Sequence, residues 1–97
     1  MIVSFSDRAT EDLYHNRLTS RARRFPPDVA NAALIKLDML DAAGGLVDLA
    51  APPGNRLEVL RGDLAGFHSI RVNEQWRLVF RWERGHACDV RLTDYHR

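Results

Sequence analysis

The chain has 97 residues, of which 45% are hydrophobic and 28% are charged, and its formal net charge is +1. These values are ordinary for a soluble globular protein, and the length predicts one domain over residues 1–97. The near-neutral balance of charge indicates no particular partner. No apolar run approaches the roughly 20 residues that span a bilayer, which excludes a membrane-spanning helix and indicates no membrane partner.

Cysteine and histidine usage narrows the class further. The single cysteine, Cys88, excludes an internal disulfide and suits a reducing compartment. The chain opens with MIVSF and reaches charge at Asp7 and Arg8, which is not the pattern of a secretory signal. We therefore expect a cytoplasmic protein. The four histidines lack the spacing of metal ligands, so neither a metal site nor a cofactor is expected.

The basic residues are almost all arginine. Of the fourteen Lys and Arg residues, only Lys36 is a lysine. Arginine presents a planar fork of donors that suits phosphate and stacks on bases. A GC-rich genome, which favours arginine and alanine codons, explains the same bias about equally well.

The first third of the chain predicts a strand, a helix and a basic segment. Ile2–Phe5 is short, apolar and strand-prone. Ser6 or Asp7 can cap a helix over about 7–16, with Glu11 in its first turn. The segment 17–24 is a solvated loop or a contact for RNA or an acidic partner, and its candidate binding residues are Arg21, Arg23 and Arg24.

A second helix is predicted to start within Pro26-Pro27-Asp28 and to run to about Ala43, because proline suits a first helical turn and Gly44 and Gly45 end the pattern. Its apolar residues recur at helical spacing, which predicts a core-facing stripe of Val29, Ala33, Leu37 and Leu40, widened by Leu34 and Met39. Residues 46–55 are predicted to be a connection whose apolar side chains pack against the rest of the protein.

The remaining sequence predicts an antiparallel sheet with strands at 57–60, 67–73, 76–83 and 86–93. Alternation in the third strand predicts that its large apolar residues face the core, namely Trp76, Leu78, Phe80 and Trp82. In the last strand, Cys88, Val90 and Leu92 are expected to share one face. The opposite face of the third strand carries Arg77 and Arg81, which is typical of a solvated face on an antiparallel sheet and also suits an anionic ligand. The predicted fold class is α+β, ordered β-α-α-β-β-β-β, with two N-terminal helices on one face of a mainly antiparallel sheet.

Four segments carry a resemblance to a known family. They read PPGNRLE at 52–58, RGD at 61–63, SIRVNEQWR at 69–77 and DYH at 94–96. Together, and in this order, they resemble the HigB-type toxins of the RelE/ParE toxin–antitoxin superfamily, over nearly the whole chain. The resemblance implies a RelE-like fold and an mRNA endonuclease that acts on the translating 70S ribosome without a metal. It also implies a HigA-type helix-turn-helix antitoxin, through which alone the toxin would meet operator DNA.

The resemblance also implies roles for individual residues. Arg71 and Arg77 match motif arginines and are expected to hold the scissile phosphate. His96 is the expected general acid or base, since its ordinary pKa suits proton transfer near neutral pH. The remaining implied residues are Tyr95, which would stack on a base or orient the phosphate, Asp94, which would orient His96, and Arg61, which would stabilise charge.

Glu58 departs from the family pattern, because some relatives carry a histidine or lysine there. A carboxylate beside a phosphate is unfavourable unless an arginine neutralises it. Glu58 is therefore a candidate general base or a sign of weak activity.

Alternatives stay open at this stage. Arg71 and Arg77 could pair with surface carboxylates such as Glu74, Glu83 or Asp89, His96 could be a frayed terminus, and Tyr95 could be a packing residue. The protein could also be a ParE-like poison of DNA gyrase, or a weakly active copy that mainly binds its antitoxin, because fold does not decide function within this superfamily.

Overall fold

A four-stranded antiparallel sheet in the order β1-β2-β3-β4 organises the computed structural model, which describes residues 1–94. Its strands are β1 (Glu58–Val59), β2 (Phe67–Arg71), β3 (Trp76–Glu83) and β4 (His86–Asp94). The predicted bounds of β3 are confirmed, and β1 and β2 are shorter than predicted. The α+β class is confirmed, with one helix more than predicted.

Three helices pack on one face of this sheet: α1 (Arg8–Tyr14), α2 (Pro27–Ala42) and α3 (Leu46–Ala50). The Asp7 carboxylate caps α1 by accepting a hydrogen bond of 2.7 Å from the Thr10 amide, so the predicted cap is confirmed. Short 3₁₀ turns lie at Ala22–Arg24, Pro53–Asn55 and Gly62–Leu64. Among residues 1–94, no helix has the length and apolar character needed to cross a membrane.

The core lies between α2 and the sheet. The four predicted stripe residues of α2 are all buried. They pack against the sheet residues Ile70, Leu78, Phe80, Val90 and Leu92, while Trp76 and Trp82 flank the cluster. Burying a side chain of this size contributes about 1.5–3 kcal/mol, so this contact fixes which face of the sheet stays open.

The predicted first strand, Ile2–Phe5, is wrong as a continuous strand. Ile2 and Phe5 instead form two isolated parallel bridges to β4, opposite Ala87 and Val90. Between the bridges, the Ser4 carbonyl accepts a hydrogen bond of 3.1 Å from the Val90 amide, and the Ser4 hydroxyl accepts one of 2.8 Å from the Asp89 amide. The N-terminal segment therefore runs along β4 without adding a regular strand.

A β-bulge in β4 overturns the predicted alternation of that strand. The register shifts between Val79 and Arg81, and Asp89 adopts a left-handed backbone with φ of 51°. One extra residue moves the following side chains to the other face. Ala87 is therefore fully buried in the core beside Val90, and Cys88 lies on the opposite face.

The segment 46–55 contains a helix that the sequence did not reveal. Five residues are too few to show helical periodicity, and α3 is held by Asp48, which accepts hydrogen bonds from the Gly44 and Gly45 amides. Leu49 is fully buried as expected, but Val47 is 75% exposed. Buried Asn55 donates to the Leu49 carbonyl at 3.0 Å, which anchors the loop that leads to β1.

Candidate functional site

The sheet surface opposite the helices carries most of the predicted site residues. Arg71 on β2 lies directly opposite Arg77 on β3, which in turn lies opposite Thr93 on β4. A neighbouring row joins Glu58, Ser69, Val79 and Arg91 across all four strands. We call this surface the arginine face, defined by Glu58, Ser69, Arg71, Arg77, Arg81 and Arg91. Arg71 and Arg77, both expected to hold the scissile phosphate, therefore lie on neighbouring strands at paired positions.

Arg77 is the most enclosed cation of the arginine face, with its side chain only 11% exposed. Its Nη1 donates to the hydroxyl of fully buried Ser69 at 2.7 Å and to the Arg56 carbonyl at 3.4 Å. Its Nη2 donates to Glu58 Oε1 at 3.0 Å. A buried guanidinium is tolerated only when it is paired and hydrogen-bonded. These contacts hold the fork of Arg77 in one orientation.

The backbone near this fork is itself unusual. Arg56 adopts a left-handed conformation, with φ of 44° and ψ of 58°. A residue other than glycine rarely occupies this region, and such conformations persist where surrounding contacts enforce them. Here the conformation directs the Arg56 carbonyl to Arg77. The preceding residue, Asn55, is buried and is held by its hydrogen bond to the Leu49 carbonyl.

Arg71 is half-buried and is held by the turn after its own strand. Its Nε donates to the Asn73 carbonyl at 3.1 Å. The Asn73 side chain in turn accepts hydrogen bonds from the Gln75 and Trp76 amides, at 2.8 and 2.7 Å. The β2–β3 turn therefore orients Arg71 beside Arg77 on the same face.

Within residues 1–94, Glu58 forms the ion pair with Arg77, and its side chain is 35% exposed. The sequence analysis considered Glu74, Glu83 and Asp89 as partners of Arg77, and none of the three forms this ion pair. Asp89 instead pairs with Arg81 at 3.4 Å, and the Arg81 guanidinium lies 4.3 Å from the centre of the Phe67 ring. An arginine therefore neutralises Glu58, which is the condition for a carboxylate to lie beside a phosphate.

The other predicted residues are dispersed. Arg61 is exposed where the chain leaves β1 and enters the turn Gly62–Leu64. Asp94, the last residue of β4, accepts a hydrogen bond of 2.8 Å from Gln75 Nε2. Tyr95 and His96 lie outside the described residues.

Arg21, Arg23 and Arg24 belong to the helical layer and do not join the arginine face. Arg21 donates from Nε and Nη2 to Asp12 Oδ2, at 3.1 and 3.0 Å. The Asp12 side chain is only 4% exposed. The Thr19 hydroxyl, with Arg21 and Arg17, holds the pKa of Asp12 below its ordinary value, although burial opposes this shift.

Ser69 and Arg91 were missed as site residues by sequence reasoning. Ser69 lies two residues before Arg71 on the same strand, so alternation could have placed it on the face. Arg91 reaches the face through its pairing with Val79, which depends on the register of β4. Within residues 1–94, no group of three or more His, Cys, Asp and Glu side chains is arranged to hold a metal ion.

His68 points to the helical side of the same strand. Its ring stacks on Phe80, with the ring centres 5.9 Å apart. Burial lowers the pKa of this histidine, and within residues 1–94 its Nδ1 has no hydrogen-bond partner. His68 is therefore a packing residue, and burial disfavours its charged form.

A model of HigB-like toxins, described as RelE-like toxins of the type II toxin–antitoxin system HigB, matches residues 3–96. The chain belongs to the HigB-like toxin family. It is 44% identical over 95 residues to Toxin HigB-1 of Vibrio cholerae serotype O1, with 98% of each chain covered.

A second relative is Endoribonuclease HigB of Proteus vulgaris, which is 31% identical over 100 residues and covers 99% of this HigB-like toxin and 100% of its own length. Among solved structures, the YoeB–YefM complex from Staphylococcus aureus contains a chain that superposes with a TM-score of 0.61. Its identity is 18%, with 100% of this chain and 99% of that chain covered. At that identity the likeness concerns the fold, which is the α+β architecture expected from the resemblance.

Proposed function

We propose that this HigB-like toxin is an endoribonuclease that cleaves mRNA on the translating ribosome, without a metal ion. The observation that carries the proposal is the pair of Arg71 and Arg77, which lie opposite each other on the sheet face that the helices do not cover. Two guanidinium groups in fixed orientation suit one phosphate, because each presents parallel donors to its oxygens. The name of the Proteus vulgaris relative supports the same activity.

The proposed reaction is attack of a ribose 2′-hydroxyl on the adjacent phosphate, with departure of the 5′ oxygen. Negative charge builds on the phosphate oxygens in the transition state, and donors already fixed in place stabilise it most. Arg77 supplies such a donor, because Ser69, Arg56 and Glu58 hold it. Arg71 supplies the second, and Arg61 is the further candidate for charge stabilisation.

The proton transfers fall to residues at the end of the sequence. β4 ends at Asp94, one residue beyond Thr93, which is paired with Arg77. His96 follows two residues later in the sequence and is the proposed acid or base, with Tyr95 as the group that stacks on a base or orients the phosphate. Asp94, which accepts a hydrogen bond from Gln75, is proposed to orient His96.

Glu58 is proposed to position Arg77. Its carboxylate holds one edge of the Arg77 fork at 3.0 Å, while its 35% exposure leaves it near solvent. A phosphate that reaches this face competes with Glu58 for Arg77. The carboxylate thus aligns the cation in the free protein and weakens the hold on RNA.

The proposed partners are the mRNA, the ribosome and an antitoxin of the HigA helix-turn-helix type, with operator DNA reached only through that antitoxin. The family description, a type II toxin–antitoxin system, supports an antitoxin in general. Arg21 is already engaged with Asp12, so the proposed contacts of the basic segment with RNA fall mainly on Arg23 and Arg24, which are exposed.

The test is to map mRNA 5′ ends in a purified translation reaction after addition of the toxin. The native toxin is expected to produce new 5′ ends inside codons, and the His96→Ala or Arg71→Gln protein, tested in its place, is expected to produce none. The ends made by the native toxin should persist when a chelator is added in excess and only the magnesium that the ribosomes require is restored. A matched reaction with naked mRNA tests the need for the ribosome. Growth arrest with DNA breaks at gyrase and no new RNA ends would instead establish the gyrase-poison alternative.

A further inference from the structure

A groove in the helical layer lies away from the arginine face and takes no part in the proposed phosphate chemistry, although Arg23 at its rim is also a proposed RNA contact. It lies between the segment that follows α1 and the first half of α2, with a cavity volume of about 230 Å³. Its apolar lining consists chiefly of Leu13, Leu18, Ala22, Phe25, Ala30 and Leu34. Leu18 is 77% exposed, the largest exposure among the large apolar side chains of residues 1–94. We call this feature the Leu18 groove.

The Leu18 groove is held open by polar contacts beneath the segment that forms its wall. Buried Asp12 accepts a hydrogen bond of 2.8 Å from the Thr19 hydroxyl and the bonds from Arg21 already described. The Asp12 carbonyl also accepts the Arg17 amide at 2.8 Å. A groove that is formed before binding is occupied at a lower entropic cost than one that must be ordered.

Size and chemistry indicate the kind of occupant. The volume is below the range of about 300–1,000 Å³ that is usual for pockets holding drug-sized ligands. Of the described residues in the lining, only Phe25 is aromatic, and its ring already packs edge-on against Trp76, with the ring centres 5.8 Å apart. Stacking platforms for RNA bases need exposed aromatic faces, so the groove suits aliphatic side chains of a protein better than bases.

The charge around the groove indicates the charge of the protein segment that would bind there. Among residues 1–94, Arg17 and Arg23 line it and no carboxylate does. Asp12, the buried acid nearby, is already shared by Thr19, Arg17 and Arg21. Within residues 1–94 no ion pair or hydrogen bond holds the side chains of Arg23 and Arg24. An apolar floor with an arginine rim is complementary to an amphipathic segment with apolar residues on one side and carboxylates on the other.

We infer that the Leu18 groove is the docking site for an acidic amphipathic segment of the antitoxin, an inference that rests on the proposed antitoxin partner. Apolar side chains of that segment enter the groove beside Leu18, and its carboxylates meet Arg17 and Arg23. The contact is on the helical layer, so residues that bind the antitoxin differ from residues that bind the phosphate.

The test compares Leu18→Glu with Val47→Glu in the full-length toxin. Val47 is a matched control because it is 75% exposed and lies on α3, outside the groove. Calorimetry measures the affinity of each variant for the purified antitoxin of its own operon. Leu18→Glu is expected to weaken binding at least about tenfold, as loss of a central apolar anchor does, and Val47→Glu to leave it within about twofold. Hydrogen exchange should show protection over residues 13–34 in the complex, and native affinity should fall with salt.

Equal binding by the two variants, or protection confined to β2 and β3, would overturn the inference. So would a Leu18→Glu protein that binds antitoxin normally but cleaves mRNA poorly, because the groove would then serve RNA. RNA cleavage by each toxin without antitoxin is measured separately, which separates the two proposals. If the toxin cleaves RNA but the antitoxin does not bind in the groove, this inference alone is refuted. If the antitoxin binds in the groove but the toxin cleaves no RNA, the proposed endoribonuclease activity alone is refuted.

Discussion

Among residues 1–94, two of the clusters that join arginine to a carboxylate bury opposite partners. On the arginine face, the Arg77 side chain is 11% exposed and Glu58 is 35% exposed. In the helical layer, the Asp12 side chain is 4% exposed, while Arg21 and Arg17 are 46% and 55% exposed. Within the described part of the chain, the buried member of each cluster is the one whose side chain makes the most hydrogen bonds: Arg77 on the arginine face and Asp12 in the helical layer.

The difference separates a site from a structural clamp. At the arginine face a fixed cation lies beneath an exchangeable carboxylate, so an incoming phosphate can replace Glu58. In the helical layer a fixed anion lies beneath exposed arginines, so no anion can replace Asp12 without removing the support of the segment 17–24. Arginine counts alone do not distinguish these situations.

The largest effect expected from this comparison is on RNA cleavage by Arg77→Lys. Lysine keeps the charge but lacks the fork that contacts Ser69, Arg56 and Glu58 together. We expect the single-turnover cleavage rate to fall about 10²- to 10³-fold, the usual cost of losing one fixed donor to a developing oxyanion. Arg8→Gln, which changes an exposed arginine of α1, is the control. A rate within threefold of native would mean that Arg77 serves only the sheet.

The next effect is on stability, from Asp12→Asn. The amide cannot balance Arg17 and Arg21, so a clear fall in melting temperature is expected at pH 7, beside little change for exposed Asp28→Asn. The folded-state pKa of Asp12 lies below its ordinary value of 3.8, chiefly through the Thr19 hydroxyl. Its contribution is therefore complete above that value and is lost as the pH falls through the folded-state pKa.

Thermal unfolding of the native and Asp12→Asn proteins between pH 7 and pH 2 checks this prediction. The difference between their melting temperatures should be constant down to about pH 4 and then shrink. A difference that stays constant throughout the acid range would show that hydrogen bonding, and not the charge of Asp12, supports the clamp.

A smaller effect is expected from Glu58→Gln on the arginine face. The amide oxygen can still accept from Arg77, but one negative charge is removed from the path of the phosphate. Binding of a short RNA should tighten about fivefold, which corresponds to about 1 kcal/mol. This is the size of one charge interaction at about 4 Å in water. Glu83→Gln is the control. Cleavage should persist. Loss of cleavage at unchanged affinity would identify Glu58 as the general base.

The smallest effect is expected from Arg21→Gln. Arg21 is about half exposed, and Thr19 and Arg17 continue to serve Asp12 in its absence. Exposed ion pairs contribute little to stability, so the melting temperature should change far less than for Asp12→Asn. A change as large as that of Asp12→Asn would remove the distinction between buried and exposed partners in this cluster.

Periodicity predicted those parts of the fold in which one pattern persists for several turns or pairs. The stripe of α2 and the core face of β3 were predicted correctly for that reason. The five-residue α3 was too short to show a period, and the phase of β4 was wrong because a bulge at Asp89 depends on Ser4, which is distant in sequence.

The candidate site was predictable to a similar degree. Alternation placed Arg71 and Arg77 on one face, but the pairing of Arg77 with Glu58 depends on the register of β1 with β2. The burial of Asp12 was not visible, because a charged residue in a short helix normally faces solvent. The roles of Tyr95 and His96 remain predictions that rest on the family resemblance.

The N-terminal bridges to β4 have a consequence for association. Ile2 and Phe5 occupy the outer side of β4, and the Ser4 hydroxyl takes the amide that the bulge leaves over. At the other side of the sheet, β1 has only two residues. Within residues 1–94, neither border therefore offers the long unpaired ladder that templates strand addition or edge-to-edge aggregation. Edge-to-edge association of two copies through β1 or β4 is therefore disfavoured.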